Sequence, residues 1–133
     1  MPKPAAEPAP ELAALLAMDR AELAAEVLVR AYTPVLGATY PLTTGLGWTI
    51  AGVAGVPLGK WTFDTDRPTD GAIARLGAEL ALLWERAGLA ARGVFNEGQG
   101  VVLLFRGEEL LRHDDARGAV ADAIRAANPH LGG

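Results

Sequence analysis

The sequence predicts an α+β fold, a β-sheet covered by amphipathic helices in a single domain. Three observations carry that reading. Two short apolar runs flank Asn96-Glu97-Gly98-Gln99-Gly100, and the second, Val101 to Phe105, is solidly apolar, the pattern of a hairpin entering a buried sheet. Helical periodicities lie on both sides of it, most clearly from Asp70 to Ala87. The length, 133 residues, suits one domain, which at this size buries roughly two-thirds of its unfolded surface without staples.

Residues 1–10 hold four prolines among alanines, a composition that predicts a flexible tail, leaving 11–133 as the folded domain. The tail lacks the unbroken apolar stretch of a signal peptide. Leu12 to Met18 reads as a short leading helix. Asp19 then caps a second helix, with Glu22 placed for a capping box, and that helix runs to about Tyr32 before Pro34 stops it. Glu22, Glu26 and Arg30 share one edge of it while Leu23, Val27, Leu28 and Ala31 fill the rest, so it is buried on more than one side.

No charged residue occurs from Ala31 to Gly59. Pro34, Pro41, Pro57, many glycines and five threonines interrupt the stretch and disfavour a membrane-spanning helix. Instead, Leu46 to Val53 and Val56 to Phe63 read as two strands joined at Ala54-Gly55, with Trp48 facing Trp61 across them. Asp64 to Thr69 forms an acidic loop ahead of the third helix, Asp70 to Ala87, whose core stripe is Ile73, Leu76, Leu80, Leu83, Trp84 and Ala87. Gly88 supplies a left-handed stop. Strands follow at Ala91 to Phe95, Val101 to Arg106 and, after a turn at Gly107, Glu109 to His113. The last helix runs from Asp114 or Asp115 to Ala127, buries Ala116, Val120, Ala123, Ile124 and Ala127, and ends at Asn128-Pro129. The predicted order is α-β-β-α-β-β-β-α.

Composition narrows the chemistry. The net charge of −4 and pI of about 5.1 disfavour a nucleic-acid binder. With no cysteine there is neither a disulfide framework nor a thiolate metal site, which fits a reducing, cytoplasmic setting. Serine is also absent, which removes serine-nucleophile schemes. Asp64, Asp66 and Asp70 have part of a calcium-loop spacing, but Thr69 stands where the loop needs glycine and Arg75 where it needs glutamate. His113-Asp114-Asp115 could form a metal or base cluster, yet the aspartates are better placed as caps of the last helix. The glycines from Gly93 to Gly100 lead into a strand, whereas a phosphate loop opens a helix and carries a lysine. The reading is therefore of a non-enzyme with no catalytic, cofactor or metal residues.

Three segments resemble the roadblock family of dynein light chains and bacterial partners of Ras-like GTPases. Ala54-Gly55-Val56-Pro57-Leu58-Gly59 is similar to that family's Asp-Gly-Leu-Pro-Val-Ala hairpin. The long helix rich in alanine and leucine and the Glu97-Gly98-Gln99-Gly100 hairpin before Val101 to Phe105 complete the likeness, which spans Leu46 to Leu111. The long loop before the first strand, Ala54 in place of an acidic turn residue and the short leading helix depart from the pattern. The resemblance implies a five-stranded antiparallel sheet flanked by helices, of roadblock or longin type, and a middle helix that pairs with its copy in a homodimer. It also implies a non-catalytic platform for a small GTPase. On the wheel of the third helix, Leu82 points away from the core stripe with Ala74 and Ala78 beside it, an arrangement that suits an isologous contact. A competing reading is a small-molecule-binding or enzymatic α+β domain with a pocket walled by Leu46 to Phe63, and a third is a dimer with a purely structural role.

Overall fold

The computed structural model describes residues 10–36, 50, 52–53, 68–95 and 98–131. Among them are five α-helices, two short 3₁₀ turns and one two-stranded antiparallel sheet.

Proline, which lacks the amide that a first turn leaves unused, opens α1 (Pro10–Leu16). Helix α2 (Arg20–Tyr32) begins where the Asp19 carboxylate accepts the Glu22 amide at 3.2 Å. It passes into a 3₁₀ turn, Thr33–Val35, at Pro34. Helix α3 (Pro68–Arg86) is the longest among the described residues. It closes with Gly88 at φ 71°, the Gly88 amide donating to Glu85 at 3.0 Å and the Leu89 amide to Trp84 at 2.9 Å. That pair of bonds satisfies the last carbonyls and aims the chain back along the helix. Strands β1 (Ala90–Phe95) and β2 (Gly98–Leu103) follow, paired from Ala90 against Leu103 to Phe95 against Gly98. Helix α4 (Phe105–Leu111) starts directly after β2, and α5 (Ala116–Ala127) is capped by Asp115, which accepts the Gly118 amide at 3.1 Å. A 3₁₀ turn, Pro129–Leu131, comes last.

Helices α2, α3 and α5 pack against one another, and the most extensive contact between helices is that of α2 with α5. Their apolar faces meet in one core: Leu23, Val27 and Leu28 from α2, Ile73, Leu76, Leu80, Leu83 and Trp84 from α3, and Val120 and Ile124 from α5. Ile50 is wholly buried in the same cluster. Tyr32 meets Trp84 edge to face, with ring centroids 6.4 Å apart and planes at 84°, a favoured aromatic arrangement. The buried Asn128 amide donates to the carbonyl oxygens of Ile124 at 2.9 Å and Leu83 at 3.5 Å, tying the end of α5 to α3.

Among the described residues the sheet has two strands, not the five expected. The expected third strand, Glu109 to His113, falls on α4 and the turn after it. Gly107 and Leu111 are both buried and four residues apart, the spacing of one helix face, so Gly107 lies inside a helix and makes no turn. The β2 strand ends at Leu103, short of the expected Arg106. Of the expected strands Leu46 to Val53 and Val56 to Phe63, only 50, 52 and 53 are described, and their backbone is helical. The Trp48–Trp61 pairing lies outside the described residues, as does residue 1–9 of the expected tail. The α+β class survives only loosely, as a helical domain carrying one hairpin.

Candidate functional site

Four large apolar side chains stand exposed among the described residues: Met18, Leu82, Leu104 and Phe105. Two of the places they mark are organised enough to act as surfaces.

The first is the outer face of α3. Ala74, Ala78 and Leu82 are all exposed, at intervals of four, while Ile73, Leu76, Leu80 and Leu83 turn inward. Leu82 keeps 38% of its surface in solvent. Arg75, Glu79 and Arg86 are exposed around the stripe, and Glu79 is partnered by Arg20 of α2 at 3.2 Å. Small alanine side chains at two of these positions leave room for a neighbouring backbone to approach, with Leu82 projecting beside them.

The second is the corner between β2 and α4. Phe105 is 93% exposed, the most exposed large apolar side chain described, and Leu104 beside it is exposed as well. Leaving a phenylalanine in water forgoes about 1.5–3 kcal/mol of burial. The backbone beneath it is fixed on both sides. The Leu104 amide donates to Leu89 at 2.9 Å, and the Leu104 carbonyl accepts the Glu108 amide at 3.0 Å. Gly107 packs so closely on the chain that a methyl group there would lie 2.2 Å from the Leu89 oxygen. The ring is therefore presented by a rigid corner. Arg106 lies beside it, exposed, and the Arg112–Glu108 ion pair, 2.9 Å, lies further along the helix.

Sequence periodicity placed Phe105 inside a strand and so missed it. The signal that could have found it is the run Gly107-Glu108-Glu109-Leu110-Leu111, which has helical spacing and acidic residues suited to a first turn.

Only part of the candidate chemical clusters falls among the described residues. Asp64 and Asp66 lie outside the described residues, as does the side chain of Asp70, whose backbone belongs to the first turn of α3. His113 and Asp114 are exposed, and Asp115 is occupied as the α5 cap. Among the described residues no group of three His, Asp or Glu is placed to hold a metal ion. Nor is any described helix long and apolar enough to cross a membrane. Most of the Leu46 to Phe63 segment, expected as a pocket wall, is outside the described residues.

The titratable groups with shifted values join helices to one another or to the hairpin. Asp19 is held below the ordinary carboxylate range chiefly by the Arg125 guanidinium of α5, 2.8 Å away. Glu26 is lowered in the same way by Arg117, also of α5, and further by Arg30. Burial pushes the Tyr32 phenol up, and its hydroxyl donates to the Val101 carbonyl at 2.7 Å.

Comparison with protein families, with characterised proteins and with solved structures finds no match to this chain.

Proposed function

We propose that the chain is a non-catalytic, homodimeric binding platform. The observation that carries the reading is Phe105, an aromatic ring held out in solvent by a fixed corner, since rigid exposed aromatics are the residues that anchor protein interfaces. In this reading the Leu104–Phe105 corner receives the partner, and the Ala74, Ala78 and Leu82 face of α3 joins two copies. The partner class to test first is a small Ras-like GTPase, named by the motif likeness between Leu46 and Leu111. Among the described residues the sheet has two strands rather than the five the likeness implied, so the likeness is used here for the partner class and not for the fold.

The test is direct binding of the purified chain to a panel of Ras-like GTPases in both nucleotide states, by calorimetry, with a Phe105→Asp variant alongside. The reading expects one member to bind and the variant to weaken it at least about ten-fold, the loss typical of an anchor residue. Binding that ignores Phe105→Asp removes the corner from the interface. Absence of binding across the panel removes the GTPase as partner. No turnover of GTP by the isolated chain is expected.

A further inference from the structure

Among the described residues the sheet has two strands, β1 and β2, and the outer edge of each is met by a side chain. In an antiparallel pair, opposed residues alternate between those that exchange backbone bonds and those whose amides and carbonyls point outward. The Leu104 amide bonds to Leu89, so the exchanging pairs are Leu89 with Leu104, Ala91 with Val102 and Gly93 with Gly100. Arg92 and Val101, opposite each other, must then point their polar groups outward. The observed partners agree. On the β2 side, the Val101 carbonyl accepts the Tyr32 hydroxyl at 2.7 Å. On the β1 side, the Arg92 amide donates to the Glu85 carboxylate at 2.7 Å.

The two caps differ in surroundings. Tyr32 is buried, so the β2 edge at Val101 is closed by α2 itself. Arg92 is exposed, so a strand could approach β1 there, and what occupies its amide is a single carboxylate from the last turn of α3. Glu85 also grips the guanidinium of the same residue, at 3.1 and 3.2 Å, which holds the carboxylate over the edge. Exposed edges are the usual route to unwanted strand pairing, and a charge at the edge is one of the ways folds prevent it.

We infer that Glu85 is an edge guard: its carboxylate occupies the outward amide of β1 and keeps that strand from pairing with β1 of a second copy. The geometry also separates charge from capping. A glutamine at 85 still offers an oxygen to the Arg92 amide, whereas an alanine leaves that amide free.

The test measures solution mass against concentration by sedimentation, together with amide hydrogen exchange at Arg92 by NMR. Each of Glu85→Ala, Glu85→Gln and Arg92→Ala is made in a Leu82→Arg background, so that association through α3 is not what is read. The inference expects Glu85→Ala to gain mass with concentration and its Arg92 amide to exchange about ten-fold faster or more, as loss of a charge-assisted bond allows. Glu85→Gln and Arg92→Ala should keep the mass of the background protein. An unchanged mass for Glu85→Ala overturns the inference, and so does equal association by Glu85→Gln. Should Glu85→Ala fail to fold, exchange in the native chain decides: an Arg92 amide exchanging at the unprotected rate means that no guard exists, and a protected one supports it.

Discussion

The indole nitrogen of Trp84 donates to the carbonyl oxygen of Ala24 at 3.0 Å, joining α3 to α2 through groups 60 residues apart in sequence. The ring is fully buried and meets Tyr32 edge to face, so a polar bond and an aromatic contact fix the same pair of helices.

Replacing Trp84 with phenylalanine keeps an aromatic ring but removes the donor and leaves space behind it. The expected cost is about 1–3 kcal/mol, from the lost bond and the unfilled volume. Urea denaturation should show a lower midpoint at an unchanged slope. A midpoint equal to that of the native chain would mean that the bond contributes nothing.

Gly107 is required for a different reason, since a methyl group there would meet the Leu89 oxygen at 2.2 Å and Leu103 Cδ1 at 2.8 Å. Backbone is what it would strike, so α4 must shift away from the hairpin. Gly107→Ala should therefore destabilise the protein by about 1–3 kcal/mol, in the range of overpacked sites, although alanine favours helix over glycine. Thermal unfolding checks the sign, and a stabilised variant would contradict the contact.

Much of the helical frame was legible in the sequence. The Asp19 cap, the stop before Pro34, the inward stripe of α3 and the Gly88 terminus each depend on residues within a turn of one another, and each is found. The strands were less legible. Val101 to Phe105 is apolar throughout, a pattern that does not distinguish strand from helix start, and the last rung of the hairpin, from Leu104 to Leu89, is made with a residue distant in sequence just before the chain turns into α4. Gly107 misled for a similar reason: its role is a close contact with another segment, and local pattern registers only a turn. The exposed face of α3 could be read from the helical wheel, whereas the exposure of Phe105 depended on where the strand stops.

Acid should weaken the α2–α5 contact. Asp19 and Glu26 both have lowered values, owing first to Arg125 and Arg117 respectively. A carboxylate depressed in the folded state contributes stability above its unfolded value, here 3.8 for Asp19 and 4.5 for Glu26, and loses it as the pH falls through the lower folded value. The pairs are partly exposed, so each should contribute about 0.2–1 kcal/mol and less in high salt. Denaturation from pH 7 to pH 2.5 should show stability falling below about pH 4.5. Glu26→Gln should flatten that fall, and an unchanged acid limb would dismiss the pair as a contributor.

Phe105→Asp should fold as well as the native chain, since the ring buries little and a carboxylate at the first position of α4 faces the positive end of the helix. Its unfolding free energy should lie within about 0.5 kcal/mol of the native value, as for other surface substitutions. A larger loss, measured by denaturant titration, would show the ring to be packed in the folded protein and unavailable to a partner.

The central claim, a platform made of two copies joined through α3, is tested most directly by the mass of the chain in solution before and after Leu82→Arg. Sedimentation equilibrium of the native chain should give twice the 13.8 kDa of one chain, and Leu82→Arg should give that of one chain with its thermal unfolding intact, because a charge placed on a two-fold contact faces its own copy. A native chain that sediments as a monomer, or a variant that stays dimeric, would contradict it.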